Sequence, residues 1–560
     1  MLSGDSCGTN EACDNSTGNA ICSCLPGFVG PDCETCVRFV DIDADGAGNG
    51  LSWEDAFNDP RPATIDARSA INREETTYCQ VWIADGTYSL GDTGARVTVG
   101  DGVHVFGGFA GDETSLVQRD FETNITVIDG SDGVPDSSVR VNRLVRMTGT
   151  SSVDGLTLQN GAAVNPRGDN NGGAILVDGG WPAISNCTFR NNSATGNGGA
   201  IYVARPSDFA NVNILSCLFE NNTASGSGGA VDAAPDTFLV VEDSEFYDNV
   251  ADRGGALSAS GATVVRLSTF SDNQANVGGG ISLDNVRDTA TVDSTWISGN
   301  IATNLGGGVF VGATPGVTLE NLIISGNTAR LGGGVSVFDE EGDGSVLIRS
   351  STIANNVCAL SNCGLEAVGT PSTRLVNTIV ARNWGQDSDS DEMPTTVRAA
   401  YSLTDSFAPS GPGNLAGTPG FLATADFGEI LDAYDPATAT VSLRTETHYS
   451  AGVFVVIGRD GVARSVTSVD GNDIVIDPAP STDVFARGAI VEIWSEEPPG
   501  YAPSYRLTVD SMCIDAATSD FDAPTLDFNG DSRSDIDSVP NTGGGSSPFF
   551  DIGALEYQVP

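Results

Sequence analysis

The run Gly198-Gly199-Ala200-Ile201-Tyr202-Val203, then Cys217-Leu218-Phe219-Glu220-Asn221-Asn222-Thr223-Ala224, then Gly228-Gly229-Ala230-Val231 decides the fold. It is one period of a recurring pattern. Gly-Gly pairs stand at Gly172-Gly173, Gly198-Gly199, Gly228-Gly229, Gly254-Gly255, Gly278-Gly279, Gly306-Gly307 and Gly332-Gly333, each opening a short apolar stretch. An Asn recurs between them, at Asn192, Asn222, Asn249, Asn273, Asn300, Asn327 and Asn356, at spacings of 24 to 30 residues. Three residues before each Asn sits Phe189, Phe219, Phe246, Phe270, Ile297, Ile324 or Ile353. Two residues after it sits Ala194, Ala224, Ala251, Ala275, Ala302, Ala329 or Cys358.

A period in the mid-twenties with short β-branched runs predicts a β-solenoid, each coil holding about three short strands. Helical repeats of similar length need long amphipathic stretches, which the Gly, Asn, Ser and Thr content forbids. Coils stacked about 4.8 Å apart place like residues on like. The Phe and Ile file then fills the interior, and the Asn file forms an amide ladder. A buried amide without such a partner costs roughly 1–3 kcal/mol. Asn and Gly-Gly also suit corners that need a left-handed backbone. These roles are structural.

Twelve cysteines divide by position. Cys7, Cys13, Cys22, Cys24, Cys33 and Cys36 crowd a stretch with little apolar content, which reads as a disulfide-stapled module in an oxidising compartment. Cys187 and Cys217 each lie five residues before their ladder Asn, so they stack, either as a disulfide or as two buried thiols. Cys358 and Cys363 can close a small loop, while Cys79 and Cys513 show no evident partner.

The remaining chain divides into a module over 1–36, a cap with first coils over 37–130, the repeats over 131–433, a small β domain over 434–500, and last coils with a cap over 501–560. A cap protects the first coil of a solenoid, and a helix over roughly Pro62 to Ile71 suits that role. Asp41, Asp43, Asp45 and Gly46 imitate the start of an EF-hand, but Ser52 stands where its last ligand belongs. Alternating β residues with Asp460-Gly461 and Asp470-Gly471 turns give the inserted domain its barrel-like reading. Asp527, Asn529, Asp531 and Asp535 offer oxygen ligands at the alternate positions calcium prefers, with a plain surface loop as the other reading.

Several motifs carry resemblances. Cys22-Ser23-Cys24 followed by Gly27-Phe28-Val29-Gly30 and Cys33 resembles an EGF-like module lacking its first cysteine. That resemblance implies Cys7–Cys22 and Cys24–Cys33 bonds, with Cys36 the substitute partner for Cys13. The Gly-Gly-Ala-Ile and Phe-x-x-Asn units resemble the repeats of chlamydial polymorphic outer-membrane proteins. The leading segment and the closing Asp551-Ile552-Gly553-Ala554-Leu555-Glu556-Tyr557 are similar to pectin-lyase-like bacterial β-helix proteins of the choice-of-anchor type. Together they imply an all-β, single-stranded right-handed parallel β-helix at a cell surface, with an adhesive role. The Asp527 loop is similar to the calcium loops of β-propeller surface repeats.

Composition narrows function. Acidic residues outnumber basic ones 74 to 26, for a formal net charge of −48. All the basic residues are Arg, so lysine chemistry is excluded. The charge repels nucleic acid and anionic membranes. No apolar run is long enough to span a bilayer. The start Met1-Leu2-Ser3-Gly4-Asp5 shows no export signal, which is expected upstream. The superfamily contains polysaccharide lyases and hydrolases. The two histidines, His104 and His448, stand outside any Gly-His-Gly motif, and no Asp and Arg constellation stands out among the coils. Acidic runs at 339–341 and 387–392 read as solvated loops. The reading favoured is a non-catalytic adhesive or structural protein binding an extracellular glycan or cell-surface protein, with no cofactor beyond calcium. The alternatives are a polysaccharide lyase or glycosidase, and a fibre or sheath subunit that self-associates.

Overall fold

A computed structural model describes residues 11–14, 21–24, 27–29, 35–91, 96–131, 143–164, 170–204, 209–312, 315–339, 344–369, 372–385, 393–405, 407–419, 421–423, 427–443, 453–457, 464–471, 473–478, 490–494, 504–507, 511–514, 516–517, 526–529, 532–533 and 551–555. The chain forms two compact units. Unit 1 is Met1–Gly226 with Ala230–Glu245, and unit 2 is Ser227–Gly229 with Phe246–Pro560.

In unit 1 a full coil has four short strands, as in Ile175–Val177, Ala183–Ser185, Thr188–Arg190 and Ser193–Ala194. Each pairs in parallel register with the strand one coil later: Ile175 with Ile201, Ile184 with Ile214, Phe189 with Phe219, Ala194 with Ala224. A parallel sheet without crossover helices follows, because the rest of each coil carries the chain back to its own edge. Period-two alternation sends Ile184, Val212 and Ile214 inward and their neighbours outward. The Phe189 and Phe219 rings stack at 4.7 Å, tilted by 6°. The helix Pro60–Asn72 opens with Asp59 accepting the Arg61 N–H, and lays Ala63, Ala67 and Ala70 against the first strands.

Unit 2 repeats this plan. Its third strands include Thr269–Ser271, Trp296–Ser298, Ile323–Ser325, Thr352–Ala354 and Ile379–Ala381, paired in parallel. Phe246 and Phe270 stack at 4.4 Å. The amide ladder is continuous: Asn300 Oδ1 accepts both the backbone and side-chain N–H of Asn273, at 3.0 and 2.9 Å, and the same holds from Asn300 to Asn327 and on to Asn356. Asn356 donates in turn to Asn383, a ladder member the repeat count had not included. In unit 1, Asn192 donates likewise to Asn222.

The corners correct one expectation. The ladder Asn does not supply the left-handed residue; the one before it does, as at Asn191, Asn221, Asp272, Gly299, Gly326 and Asn355. The ladder side chain turns inward to the backbone instead, Asn327 Nδ2 donating to Ile297 O at 2.9 Å. The Gly-Gly pairs divide their work. The first glycine has φ between 60° and 67° throughout. The second faces the next coil so closely that a Cβ on Gly255 would stand 2.1 Å from Gly279 O.

Within unit 2, six strands from Phe427–Asp435 to Ile490–Trp494 close a small barrel around Tyr434, Val441, Val455, Val466, Ile474 and Ile476. Gly471 turns one of its hairpins with φ 63°, whereas Asp460-Gly461 lies outside the described residues. Among the described residues of 501–560, no strand joins the coils. Ser504–Leu507 pairs antiparallel with Phe421–Ala423, and Cys513, Ile514, Ala516, Ala517 and Ile552 after it lie against the outer face of the third strands. Ile514, Ile552, Ala554 and Leu555 cover Ile323, Ala354, Ile379 and Leu403 there. Buried Arg533 pins this layer, its guanidinium donating to Asn321 Oδ1, Gly553 O and Ala554 O.

The disulfides depart from expectation at Cys36 and decide between the two readings of Cys187 and Cys217. Cys36 bonds Cys79, so it is not the partner of Cys13. The strand Thr35–Val40 pairs in parallel with Cys79–Ala84, which sets the two cysteines opposite each other at a Cα separation of 4.7 Å. Cys187 and Cys217 are not bonded; they are buried free thiols. Each points to a backbone carbonyl instead, Cys187 Sγ to Ser185 O at 3.0 Å and Cys217 Sγ to Leu215 O at 3.3 Å. Cys358 and Cys363 are bonded. Cys7 and Cys33 lie outside the described residues, as do the side chains of Cys13, Cys22 and Cys24.

Candidate functional site

The ladder and ring files (Asn192 to Asn356, Phe189 to Phe270) are interior and serve the fold. Of the calcium candidates, Asp527 is buried and its Oδ1 accepts the Asn529 N–H at 2.9 Å, while Asp531 and Asp535 lie outside the described residues. Among the described residues no group of three or more His, Cys, Asp or Glu side chains gathers as a metal site. Asp339 corrects the solvated-loop reading: it is buried and accepts the Gly344 N–H at 2.8 Å, closing the loop from inside. Glu340, Glu341 and residues 387–392 lie outside the described residues, as does His448.

Among the described residues, a concavity lies on unit 1, at the turn from second to third strands. It holds about 420 Å³, within the range of ligand pockets. Its floor is Gly155, Leu156 and Thr157 of one coil, Asn186, Cys187 and Thr188 of the next, and Ser216 and Leu218 of the third. Its wall is Phe121, Glu122 and Ile125, from the non-repeating segment before Thr126–Asp129. Asn186 and Ser216 take left-handed backbone at φ 50° and 51°, which opens a shallow notch between two sheets. Apolar surface thus alternates with hydroxyl and amide groups.

Arg119 stiffens the wall. Its guanidinium lies over the Phe106 and Phe121 rings, 5.3 and 5.2 Å from their centroids, and pairs with Asp154. Asp154 also accepts from Ser185 Oγ at 2.6 Å and Asn186 Nδ2 at 3.2 Å. With these partners the carboxylate is a brace, not a free base. At the pocket floor Cys187 is buried, and burial and the neighbouring Cys217 thiol push its thiol well above the ordinary range. On the adjoining second-strand face, His104 Nδ1 and Ser152 Oγ lie 2.9 Å apart, and burial lowers the imidazole's pKa.

Carboxyls with raised pKa lie elsewhere. Burial raises Glu366 and Asp405, both in unit 2, and they stand on different coil positions, the first strand and the turn after the third. The groove itself offers apolar contact surface, hydrogen-bonding groups and the Glu122 carboxylate in its wall. Sequence reading missed Arg119, Phe121, Ile125 and Asp154, because the wall comes from a segment with no period to reveal its partners.

Residues 147–384 match the family model described as the right handed beta helix region. The coil array is accordingly a right-handed parallel β-helix. No curated protein matches the chain. Among solved structures, the A-module of mannuronan C-5 epimerase AlgE4 from Azotobacter vinelandii is 18% identical, covering 68% of this chain and 96% of that one at a TM-score of 0.36. Pectate lyase Pel9A is 12% identical, covering 93% and 96% at 0.40. The tailspike protein of Escherichia coli bacteriophage HK620, solved with a pentasaccharide, is 14% identical, covering 88% and 96% at 0.34. The fold itself rests on the strand pairing described above. No helix among the described residues is long and apolar enough to cross a membrane.

Proposed function

We propose that this chain is a secreted or cell-surface β-helix protein that binds a glycan in the unit 1 groove without turning it over. The observation that carries the reading is the groove's lining. Phe121, Ile125 and Leu218 give apolar contact for sugar ring faces, and Thr157, Thr188, Ser216 and Asn186 give hydrogen-bonding groups between them. The Arg119–Asp154 brace holds the wall before any ligand arrives, which lowers the ordering cost of binding. The Cys36–Cys79 and Cys358–Cys363 bonds support an oxidising compartment. Calcium held by Asp527, Asn529, Asp531 and Asp535 belongs to the same proposal as a structural ion.

The test is a glycan array followed by calorimetry on the full chain. A specific oligosaccharide should bind the wild type, and Thr188→Arg, which fills the groove, should weaken it at least tenfold. Binding unaffected by that variant, or no glycan bound at all, would sink the reading. New reducing ends or unsaturated products in the same mixtures would replace it with an enzymatic one.

A further inference from the structure

Beside the groove, the outer face of the second strands in unit 1 carries side chains that a solvated sheet does not need. Trp181 is 63% exposed, Phe209 57% and Leu215 44%. Their direction is fixed by the pleat. Ala210, Val212 and Ile214 are buried, so Phe209, Asn211, Asn213 and Leu215 face outward; Pro182 and Ile184 are buried, so Trp181 does too. The backbone beneath is tied down, with Trp181 N–H donating to Gly149 O at 3.0 Å and Asn211 N–H to Gly180 O at 2.9 Å. Phe238 of the following coil pairs in register with Asn211, adding a third ring to the face. Asn211 Oδ1, set among these rings, has no hydrogen-bond donor. A buried amide oxygen left this way is costly, roughly 1–3 kcal/mol.

We propose that this face is an aromatic platform on which an uncharged glycan stacks, continuous with the groove and extending it. The inference rests on the glycan reading above. Three observations select the occupant. First, the residues in register from Trp181 across Asn211 to Phe238 are uncharged, with Glu242 opposite Leu215 at the far end of the same strands, although the whole chain carries a formal −48. That surrounding field disfavours uronates and sulfated sugars. Exposed rings beside the outward amide of Asn213 suit a pyranose, whose C–H face packs on an indole while its hydroxyls seek polar partners. Second, the same two coils floor both places: Ala183–Ser185 runs on into Asn186 and Thr188, and Ala210–Leu215 into Ser216 and Leu218. From Trp181 to Ser185 is about 13 Å of extended strand, the span of a short oligosaccharide. Third, the fold does not require these rings. The second strands of unit 2 present Thr291, Asp293, Thr318, Glu320 and Arg349 at outward positions, with Glu320 and Arg349 ion-paired.

The experiment uses the full chain, the double variant Trp181→Ala/Phe209→Ala and the groove variant Thr188→Arg. Probes are the trimers and hexamers of neutral β-glucan, xylan, mannan and chitin, and the hexamers of galacturonate and mannuronate. Affinity is read by calorimetry and indole fluorescence. A neutral hexamer should lose at least tenfold in the double variant, and its trimer less than threefold, because the trimer is held by the groove. Thr188→Arg should weaken both. Equal loss for trimer and hexamer, or none, would overturn the platform while leaving the groove reading intact. A uronate hexamer as tightest ligand would overturn the uncharged class. No binding by any probe would remove both readings. Concentration-dependent dimers by light scattering, abolished in the double variant, would assign the face to a second copy instead. Both changed residues are exposed, and an unchanged melting transition confirms that the variants fold.

Discussion

Unit 1 and unit 2 share their interior and differ in what they do with their outer faces. Inside, both stack phenyl rings nearly parallel and both string asparagine amides from coil to coil. Outside, the third strands of unit 1 present Thr157, Thr188 and Leu218 to an open groove. Those of unit 2 present Ile323, Ile379 and Leu403, and these are roofed by the chain's own later residues, with Arg533 as the pin. The same coil position thus lines an open groove in one unit and forms a second core layer in the other. The lesson is that a β-helix sets its inward residues by stacking and leaves its outward residues free to vary.

That contrast can be broken or sharpened by mutation. The largest effect should come from the shared interior. Phe189→Ala and Phe270→Ala should each cost about 3–5 kcal/mol in urea unfolding, since each leaves a ring-sized cavity. A cost below about 1 kcal/mol in either would mean that the two interiors are not built alike. Next comes the roof of unit 2. Arg533→Ala removes the donor shared by Asn321, Gly553 and Ala554 and should cost about 2–3 kcal/mol. Limited proteolysis should then cut the residues after 504 first, while glycan affinity in unit 1 stays within twofold. If calcium holds the Asp527 loop, a chelator should produce the same cleavage pattern more weakly. Loss of glycan binding in Arg533→Ala would contradict the separation of roles.

The smallest effect is in pH dependence, and its sign differs between the units. Burial works against the Asp129 carboxylate in unit 1, but hydrogen bonds from Ser131, Asn160 and Gln159 outweigh it and hold its pKa below the ordinary value. Its contribution is present above the unfolded pKa and is lost as pH falls through the folded one. Burial raises Glu366 in unit 2, which the Asn362 bond only partly offsets. Its ionised form is penalised in the folded state, so the penalty fades as pH falls toward the unfolded value. Glu366→Gln should therefore be slightly more stable than wild type at pH 7 and equal to it near pH 4, whereas Asp129→Asn should be less stable at pH 7 and converge at low pH. Melting curves across that range give the answer, and a shift of the same sign in both variants would refute the assignment.

The interior was readable in sequence because stacking forces like residues to recur, and recurrence needs no structure to be seen. Asn383 escaped because Gly385 stands where the other repeats carry Ala or Cys, although Val380 keeps the apolar position. The left-handed corner was assigned one residue late, since Asn191 and Asn192 offer the same chemistry in succession. Cys36–Cys79 was hidden by register: nothing in 43 residues of spacing says that the two strands carrying them lie side by side. The groove was hidden more completely. Arg119 and Phe121 belong to a stretch that occurs once, and their meeting with Asp154, Asn186 and Ser216 depends on turns from four parts of the chain.

The close approach at the second glycine of each pair has a consequence for how coils vary in length. One ladder step spans 24 residues and another 30, yet both return the chain to a corner where only hydrogen fits between neighbouring backbones. That corner acts as a gauge. An insertion survives only if it bulges out before the chain passes the glycine again, so novelty is confined to the connecting loops and the rim they build.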